Sequence, residues 1–357
     1  MKYQLDILNQ YIEKGLVVKQ DHPTLPISIY NYSRTCQYER LWDEITMDCR
    51  GLVLDYDGNV VAKPFRKFFN FEELTTEQIP NEPFEVFEKM DGSLGILFNY
   101  KGEWVLSTKG SFTSEQAIKG MEILKKYKYD RLLTGYTYLF EIIYPENRIV
   151  CQYDFEDLIL LGVIDNRDGY ELRIHDNHIH LEGIRLVNLY NNLGFKIVKK
   201  YDGIRDYSEL KSKISQNQEG FVIKFRDGFR MKIKGDEYIR LHRILTNFST
   251  TDIWELLRTK GDMDEFLDRV PDEFDMWVKT TILKLMAEYV TIEDTAKISF
   301  EHFKSKSETK KDFALMVVHD LHSPILFSMW NGKPYEHIIW KMIKPKWSKP
   351  FKKDLDI

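Results

Sequence analysis

No stretch of this chain stays apolar for long. The longest unbroken run of apolar residues and glycine is Leu158–Ile164, far short of the roughly 20 residues a membrane-spanning helix needs. Asp6, Glu13 and Lys14 interrupt any signal-peptide core, so no secretory leader is expected. Cysteine is scarce: Cys36, Cys49 and Cys151 are odd in number, far apart and form no C-x-x-C pair. Neither a disulfide framework nor a zinc site follows, and a reduced, cytoplasmic setting is the expectation. With only 19 Gly and 11 Pro in 357 residues, collagen-like and low-complexity chains are excluded. The patterns G-x-x-x-x-G-K-[ST] and G-x-G-x-x-G are both missing, which argues against P-loop and dinucleotide folds. Positive charge is in deficit too. Net charge is −5, with −4 in residues 1–242 and −1 in residues 243–357. That balance speaks against a protein that coats long nucleic acid, but a site feels only its local field.

What the chain has is two periodicities. Its length and 43% hydrophobic content suit about two domains, each with its own core. Through residue 242 it reads as strands and tight turns. Arg50–Asp55 and Val60–Lys63 flank an Asp57-Gly58 turn, and Phe84–Lys89 and Leu94–Phe98 flank Met90-Asp91-Gly92-Ser93. Trp104–Thr108, Tyr138–Ile143, Leu158–Ile164 and Tyr170–Ile174 are further strands, and residues 114–133 read as a helix. From residue 243 the period becomes helical: Val278, Ile282, Leu285, Met286, Tyr289 and Val290 share one face. Ser249-x-x-Asp252 resembles a capping box. The expected class is α+β, an antiparallel-sheet domain over 1–242 followed by an all-α domain over 243–357. Residues 341–357 carry six Lys against two Asp, with Trp347 and Phe351 interleaved. They read as a solvated terminus, or as a phosphate-binding arm.

The sharpest single prediction is a hairpin. Phe221–Phe225 and Phe229–Lys234 flank Arg226-Asp227-Gly228. A three-residue loop pairs Lys224 with Arg230, Val222 with Lys232, and Gly220 with Lys234. Side chains alternate along strands. One face is then Phe221, Ile223, Phe225, Phe229, Met231 and Ile233. The other is cationic, with Lys224, Arg230, Lys232 and Lys234. The same parity puts Glu219 opposite the cationic face unless a bulge at Gly220 re-aims it.

Lys89 ends an apolar strand, and Asp-Gly-Ser then forces a tight turn. A lysine attacks only when neutral, and burial or neighbouring cations supply that. Lys232, Lys234 and Arg50 are the cations at hand. His175, His178 and His180 cluster, but without an anchoring Cys or carboxylate they read as an exposed loop.

Several motifs stand in a fixed order: Cys49-Arg50-Gly51, Lys67-Phe-Phe-Asn70, Lys89-x-Asp-Gly-Ser93, Ser107-Thr-Lys109-Gly-Ser111, Phe140-Glu141-x-x-x-Pro-x-Asn147-Arg148-Ile-Val150, Glu219-Gly220-Phe-Val222 and Lys232-Ile-Lys234. This order resembles the covalent nucleotidyltransferase superfamily of ATP-dependent ligases and RNA-capping enzymes. Ile29-Tyr-Asn-Tyr32, Asn-Arg-Ile-Val and the Lys-x-Lys followed by Tyr238 and Leu241-His242 bring it closer to the tRNA-repairing RNA ligases of T-even bacteriophages, the RNA ligase 1 family. The resemblance covers roughly residues 27–242.

The resemblance implies an N-terminal adenylyltransferase domain and an ATP-dependent RNA ligase. Lys89 is the nucleophile that becomes AMP-lysine, the AMP passes to an RNA 5′-phosphate, and a 3′-hydroxyl displaces it. Lys232 and Lys234 hold the α-phosphate, while Arg50, Lys67 and Lys109 bind other phosphates. Glu141 accepts from a ribose hydroxyl, and Tyr30 packs at the nucleotide. Glu219 and Asp272 serve Mg²⁺, with Mn²⁺ as a substitute, and Tyr238 contacts RNA. The implied partner is RNA with 5′-phosphate and 3′-hydroxyl ends, cleaved tRNA above all, handled by a monomer without a membrane. The rivals are a DNA ligase or capping-type enzyme, and a catalytically silent RNA-end-binding module.

Overall fold

The computed structural model describes residues 1–147, 149–176, 180–181, 184–185, 190–215, 217–236, 238–239, 249–268, 270 and 274–346. The chain divides into two compact units, Met1–Leu245 and Thr246–Ile357. The residue at which the periodicity changes, near 243, lies outside the described residues.

The first unit is built on antiparallel sheets. One takes β1 (Val17–Asp21), β2 (Ile27–Tyr32), β3 (Arg50–Asp55) and β4 (Val60–Ala62) in chain order. Then come β5 (Phe69–Asn70), β6 (Phe84–Lys89), β7 (Ser93–Tyr100), β8 (Glu103–Ser107), β9 (Tyr136–Ile143) and β10 (Asp157–Asp165). A short hairpin, β11 (His180–Leu181) and β12 (Ile184–Arg185), precedes β13 (Lys196–Ile197), β14 (Lys200–Tyr201), β15 (Gly220–Phe225) and β16 (Arg230–Lys234). Two five-stranded sheets result, ordered β13-β10-β9-β7-β8 and β14-β6-β15-β16-β5. The first of these is covered on both sides. Ile96, Phe98 and Leu139 meet Ile27, Ile29 and Val53 of the β1–β4 sheet. Its other face holds Tyr138, Phe140 and Leu160 against Ala117, Ile123, Leu124 and Phe195. Burial on both sides is why β10 reads as a continuous apolar run rather than an alternating one.

The β15–β16 hairpin forms in the expected register: Lys224 pairs with Arg230, Val222 with Lys232, and Gly220 with Lys234. Its apolar face packs with Val86 and Leu210. Two other expectations fail. The helix expected over 114–133 stops at Leu124. Tyr127 stacks on Phe195 at 4.4 Å and donates its hydroxyl to Asp157, and this tertiary contact overrides the local helical pattern. Tyr170–Ile174 makes a single bridge, Glu171 to Ile164, instead of a strand. Its side chains line a cavity.

The second unit is helical among its described residues: Thr250–Thr259, Met263–Asp268, Asp275–Ser305, Lys310–Val317, Ser323–Trp330 and Glu336–Met342. Ala296, Phe313, Val317, Ile325, Leu326 and Ile339 form its core. On the long helix Val278 and Leu285 are buried, while Met286 and Val290 of the expected face are exposed. The Ser249 hydroxyl donates to Asp252 rather than accepting from the helix backbone. No described helix is long and apolar enough to cross a membrane.

Gly220 is the tightest joint in the hairpin. Its φ is +155°, and a Cβ there would lie 1.9 Å from the Ile233 carbonyl oxygen. Gly228, at φ +92°, has open space around it. Gly220→Ala should therefore lose about 3 kcal/mol or more in urea unfolding. Gly228→Ala should lose only about 1 kcal/mol, the cost of the backbone conformation alone. Equal losses would show that steric closure at Gly220 is not what matters.

Candidate active site

Lys89 closes β6, and its backbone partner in β15 is Gly220. The pairing brings the residue before Gly220 to the lysine. Lys89 Nζ lies 2.6 Å from Glu219 Oε2, and Lys234 Nζ lies 3.1 Å from Oε1 of the same carboxylate. Simple parity would have sent Glu219 the other way. The backbone at Gly220 breaks the alternation and delivers it to the cationic side. Glu219 is only 3% exposed. Burial alone would push its carboxyl up, but Lys89 and Lys234 outweigh burial and hold it below the usual range. Lys89 thus meets a carboxylate first, not the bare cluster of cations that its position suggested.

The turn after Lys89 is clamped from below. The Asp91 carboxylate accepts from the backbone N–H groups of Val150 (2.8 Å) and Cys151 (2.7 Å) and from the Tyr238 hydroxyl (2.8 Å). The Asp91 N–H donates to the Tyr153 hydroxyl at 2.9 Å, and Ser93 and Asn147 bond each other. A Cβ on Gly92 would fall 2.6 Å from the Ile142 carbonyl oxygen, so the turn needs glycine to lie against β9. This arrangement also places Tyr238, the residue expected at RNA. It is 2% exposed, with its ring 5.2 Å from Lys234 Nζ. Its hydroxyl buttresses the Lys89 turn through Asp91.

A cavity of about 510 Å³ opens above Lys89. Arg50, Glu88, Glu141, Val222 and Lys224 are on its walls, and residues 171–176 form one side. Arg50 reaches the Phe65 carbonyl at 3.3 Å and stacks 5.3 Å from the Phe68 ring. Glu141 sits on β9 opposite Leu94. Removal from water pushes its carboxyl up to about 8, against the pull of Lys89 and of the Gly92 N–H; Glu219 and Asp91 add repulsion. At the far end the Glu171 carboxylate holds Lys224 at 3.0 Å and Arg230. His175 donates its Nε2–H to the Val198 carbonyl, 2.7 Å away, and packs on Phe87. It is a wall residue; His178 lies outside the described residues.

Lys232 is buried on β16, where it pairs in parallel with Asn70. The Lys67-Phe-Phe-Asn70 motif is therefore the strand beside the Lys-x-Lys motif, a proximity that linear spacing does not reveal. Lys67, 7% exposed, is ringed by Tyr32, Trp42 and Phe69, each 5.1–5.6 Å from its Nζ. Lys109 Nζ lies 4.9 Å from the Tyr32 ring and 3.4 Å from its hydroxyl. The aromatic residue between these lysines is Tyr32. Tyr30, expected at the nucleotide, points into a core of Leu8, Val17, Leu52 and Leu54 and is 4% exposed. The register of β2 against β3 slips between Tyr30 and Asn31. The extra residue is Gly51 of β3, unpaired between Leu52 and Arg50 at φ +92°, and a glycine inside a strand is the signal for such a bulge. Asp272 lies outside the described residues. Among the described residues no three His, Cys, Asp or Glu side chains group to hold a metal.

Residues 48–238, a little over half of the chain, match the model of a family described as RNA ligase. The chain belongs to this RNA ligase family. A "Putative RNA ligase" of Thermovibrio ammonificans is 31% identical over 71% of this chain and 69% of its own length. An RNA ligase of Rhodothermus phage RM378 is 24% identical, over 84% of this chain and 83% of its own. A Naegleria gruberi RNA ligase solved with ATP and Mn aligns over 47% of this chain and 53% of that one, with 19% identity and a TM-score of 0.37. The family match spans every site residue described above from Arg50 to Tyr238, and leaves Tyr32 and the helical unit outside.

Glu141 sets a pH dependence in this family member. A carboxyl that titrates near 8 when folded and near 4.5 when unfolded stays protonated longer in the native state. Stability then falls as pH rises from about 4.5 to about 8. Glu141→Gln should flatten that fall in urea unfolding at pH 5, 6.5 and 8. An unchanged slope would show that Glu141 does not titrate in this window.

Proposed function

We propose that this chain is an ATP-dependent ligase that joins RNA 5′-phosphate and 3′-hydroxyl ends through an AMP-lysine on Lys89. One observation carries the reading: Lys89 faces a nucleotide-sized cavity while bonded to a buried carboxylate that also holds Lys234. In the first step the neutral Lys89 amine attacks the α-phosphorus of ATP. A P–N bond forms, the α–β P–O bond breaks, and pyrophosphate leaves. In the second, an RNA 5′-phosphate oxygen displaces Lys89 and takes the AMP. In the third, a 3′-hydroxyl attacks that phosphate, loses its proton and expels AMP.

Such displacements need placement and charge more than covalent help. Lys232 and Lys234 serve the α-phosphate oxygens. Arg50, Lys67 and Lys109 serve the other phosphates, and Arg50 does so bidentately. Glu141, neutral at pH 7, hydrogen-bonds a ribose hydroxyl without adding negative charge. Mg²⁺ suits a site with few carboxylates, since it keeps most of its waters. Glu219 is the residue to hold it, with Mn²⁺ as a substitute; the ion neutralises phosphate charge. Cleaved tRNA is the substrate class this reading favours, with the helical unit contributing to its selection.

Incubation with labelled ATP and Mg²⁺ should give a covalent AMP adduct, abolished in Lys89→Ala. The wild type should seal a broken RNA stem-loop in preference to nicked duplex DNA. An adduct that survives in Lys89→Ala would sink the assignment, and labelling by GTP instead of ATP would point to capping chemistry.

A further inference from the structure

Next to the nucleotide-sized cavity lies a second concavity of about 840 Å³. Seven Lys and Arg residues line it against three carboxylates, in a chain whose net charge is −5. It shares a wall with the inner cavity, including Phe65 and Phe68. Arg50 stacks on Phe68 and lines the inner cavity together with Lys89. A route therefore leads from the outer groove over Phe68 and Arg50 to the nucleophile.

Most of the groove's cations are already engaged. Lys63 pairs with Asp48, and Lys224 and Arg230 pair with Glu171. Arg226 differs. Its side chain is exposed, and among the described residues its guanidinium makes no ion pair or hydrogen bond. Its backbone is fixed all the same, with its N–H donating to the Pro83 carbonyl at 3.1 Å. Tyr170, also on this groove, is 55% exposed, and its N–H donates to Asp168 at 2.8 Å. A fixed, unengaged arginine and an exposed ring in a cationic groove are the components of single-strand recognition: phosphates on cations, bases on aromatic faces. One ATP fits the inner cavity, so the outer groove needs a longer polyanion.

We propose that the groove holds the nucleotides following the 5′-phosphate of the RNA strand under activation, with Arg226 on a backbone phosphate and Tyr170 stacked on a base. This rests on the RNA-ligase reading. The test uses the full-length chain, Arg226→Ala and Tyr170→Ala, ATP, and a 5′-phosphorylated single-stranded oligoribonucleotide. AMP-lysine formation without RNA should match the wild type. Tyr170→Ala should weaken RNA affinity roughly 5- to 150-fold, the range found for a lost base stack. Arg226→Ala should reduce the slope of log affinity against log salt by about 0.7, the value of one single-strand phosphate contact. A wild type that forms AMP-lysine and adenylylates RNA, with both variants indistinguishable from it, overturns the groove alone. So does a parallel loss of AMP-lysine formation, which would put these residues at the nucleotide. A wild type that forms no AMP-lysine overturns the reading beneath it.

Discussion

Glu219 is the carboxylate on which the site closes. It comes from the end of a strand, is almost wholly buried, and bonds the ammonium of Lys89 from β6 and that of Lys234 from β16. A buried charge is tolerable only when paired, and removing one partner of such a set typically costs about 3–5 kcal/mol. The sheet order follows from this requirement. β15 must lie between β6 and β16 for its preceding residue to reach both lysines. Gly220 must be a glycine for the carboxylate to turn toward them. The Asp91 clamp then fixes the far side of the Lys89 turn, so Lys89 is held from two directions by acidic groups.

The two carboxyls beside Lys89, Glu219 buried and Glu141 partly exposed, also separate in character. Glu219 is kept ionised by its two lysines, whereas Glu141 faces desolvation with weaker compensation and is neutral at pH 7. Two groups of the same chemistry thus take different tasks through environment alone. One suits a cation; the other suits a neutral hydroxyl.

Alternation made the hairpin register legible residue by residue, because period two leaves no freedom once the turn is set. The strand and turn carrying Lys89 were legible for the same reason. What stayed hidden comes from departures from alternation and from contacts distant in sequence. At the bulge after Tyr30, Tyr30 packs in a core while Tyr32 lies beside Lys67 and Lys109. The backbone at Gly220 reverses Glu219. Tyr238 is expected at RNA by resemblance alone, and only the fold brings its hydroxyl to Asp91, 147 positions away. The premature end of the helix at Leu124 has its cause in Phe195 and Asp157, which no local window contains.

The bond between Lys89 and Glu219 has a consequence for the idle protein. A charge-assisted hydrogen bond of 2.6 Å commits an N–H of Lys89 to a fixed neighbour. An anion that enters the cavity toward Lys89 and Lys234 must compete with the Glu219 carboxylate for the same two side chains, so filling of the cavity and the bond between Lys89 and Glu219 are coupled.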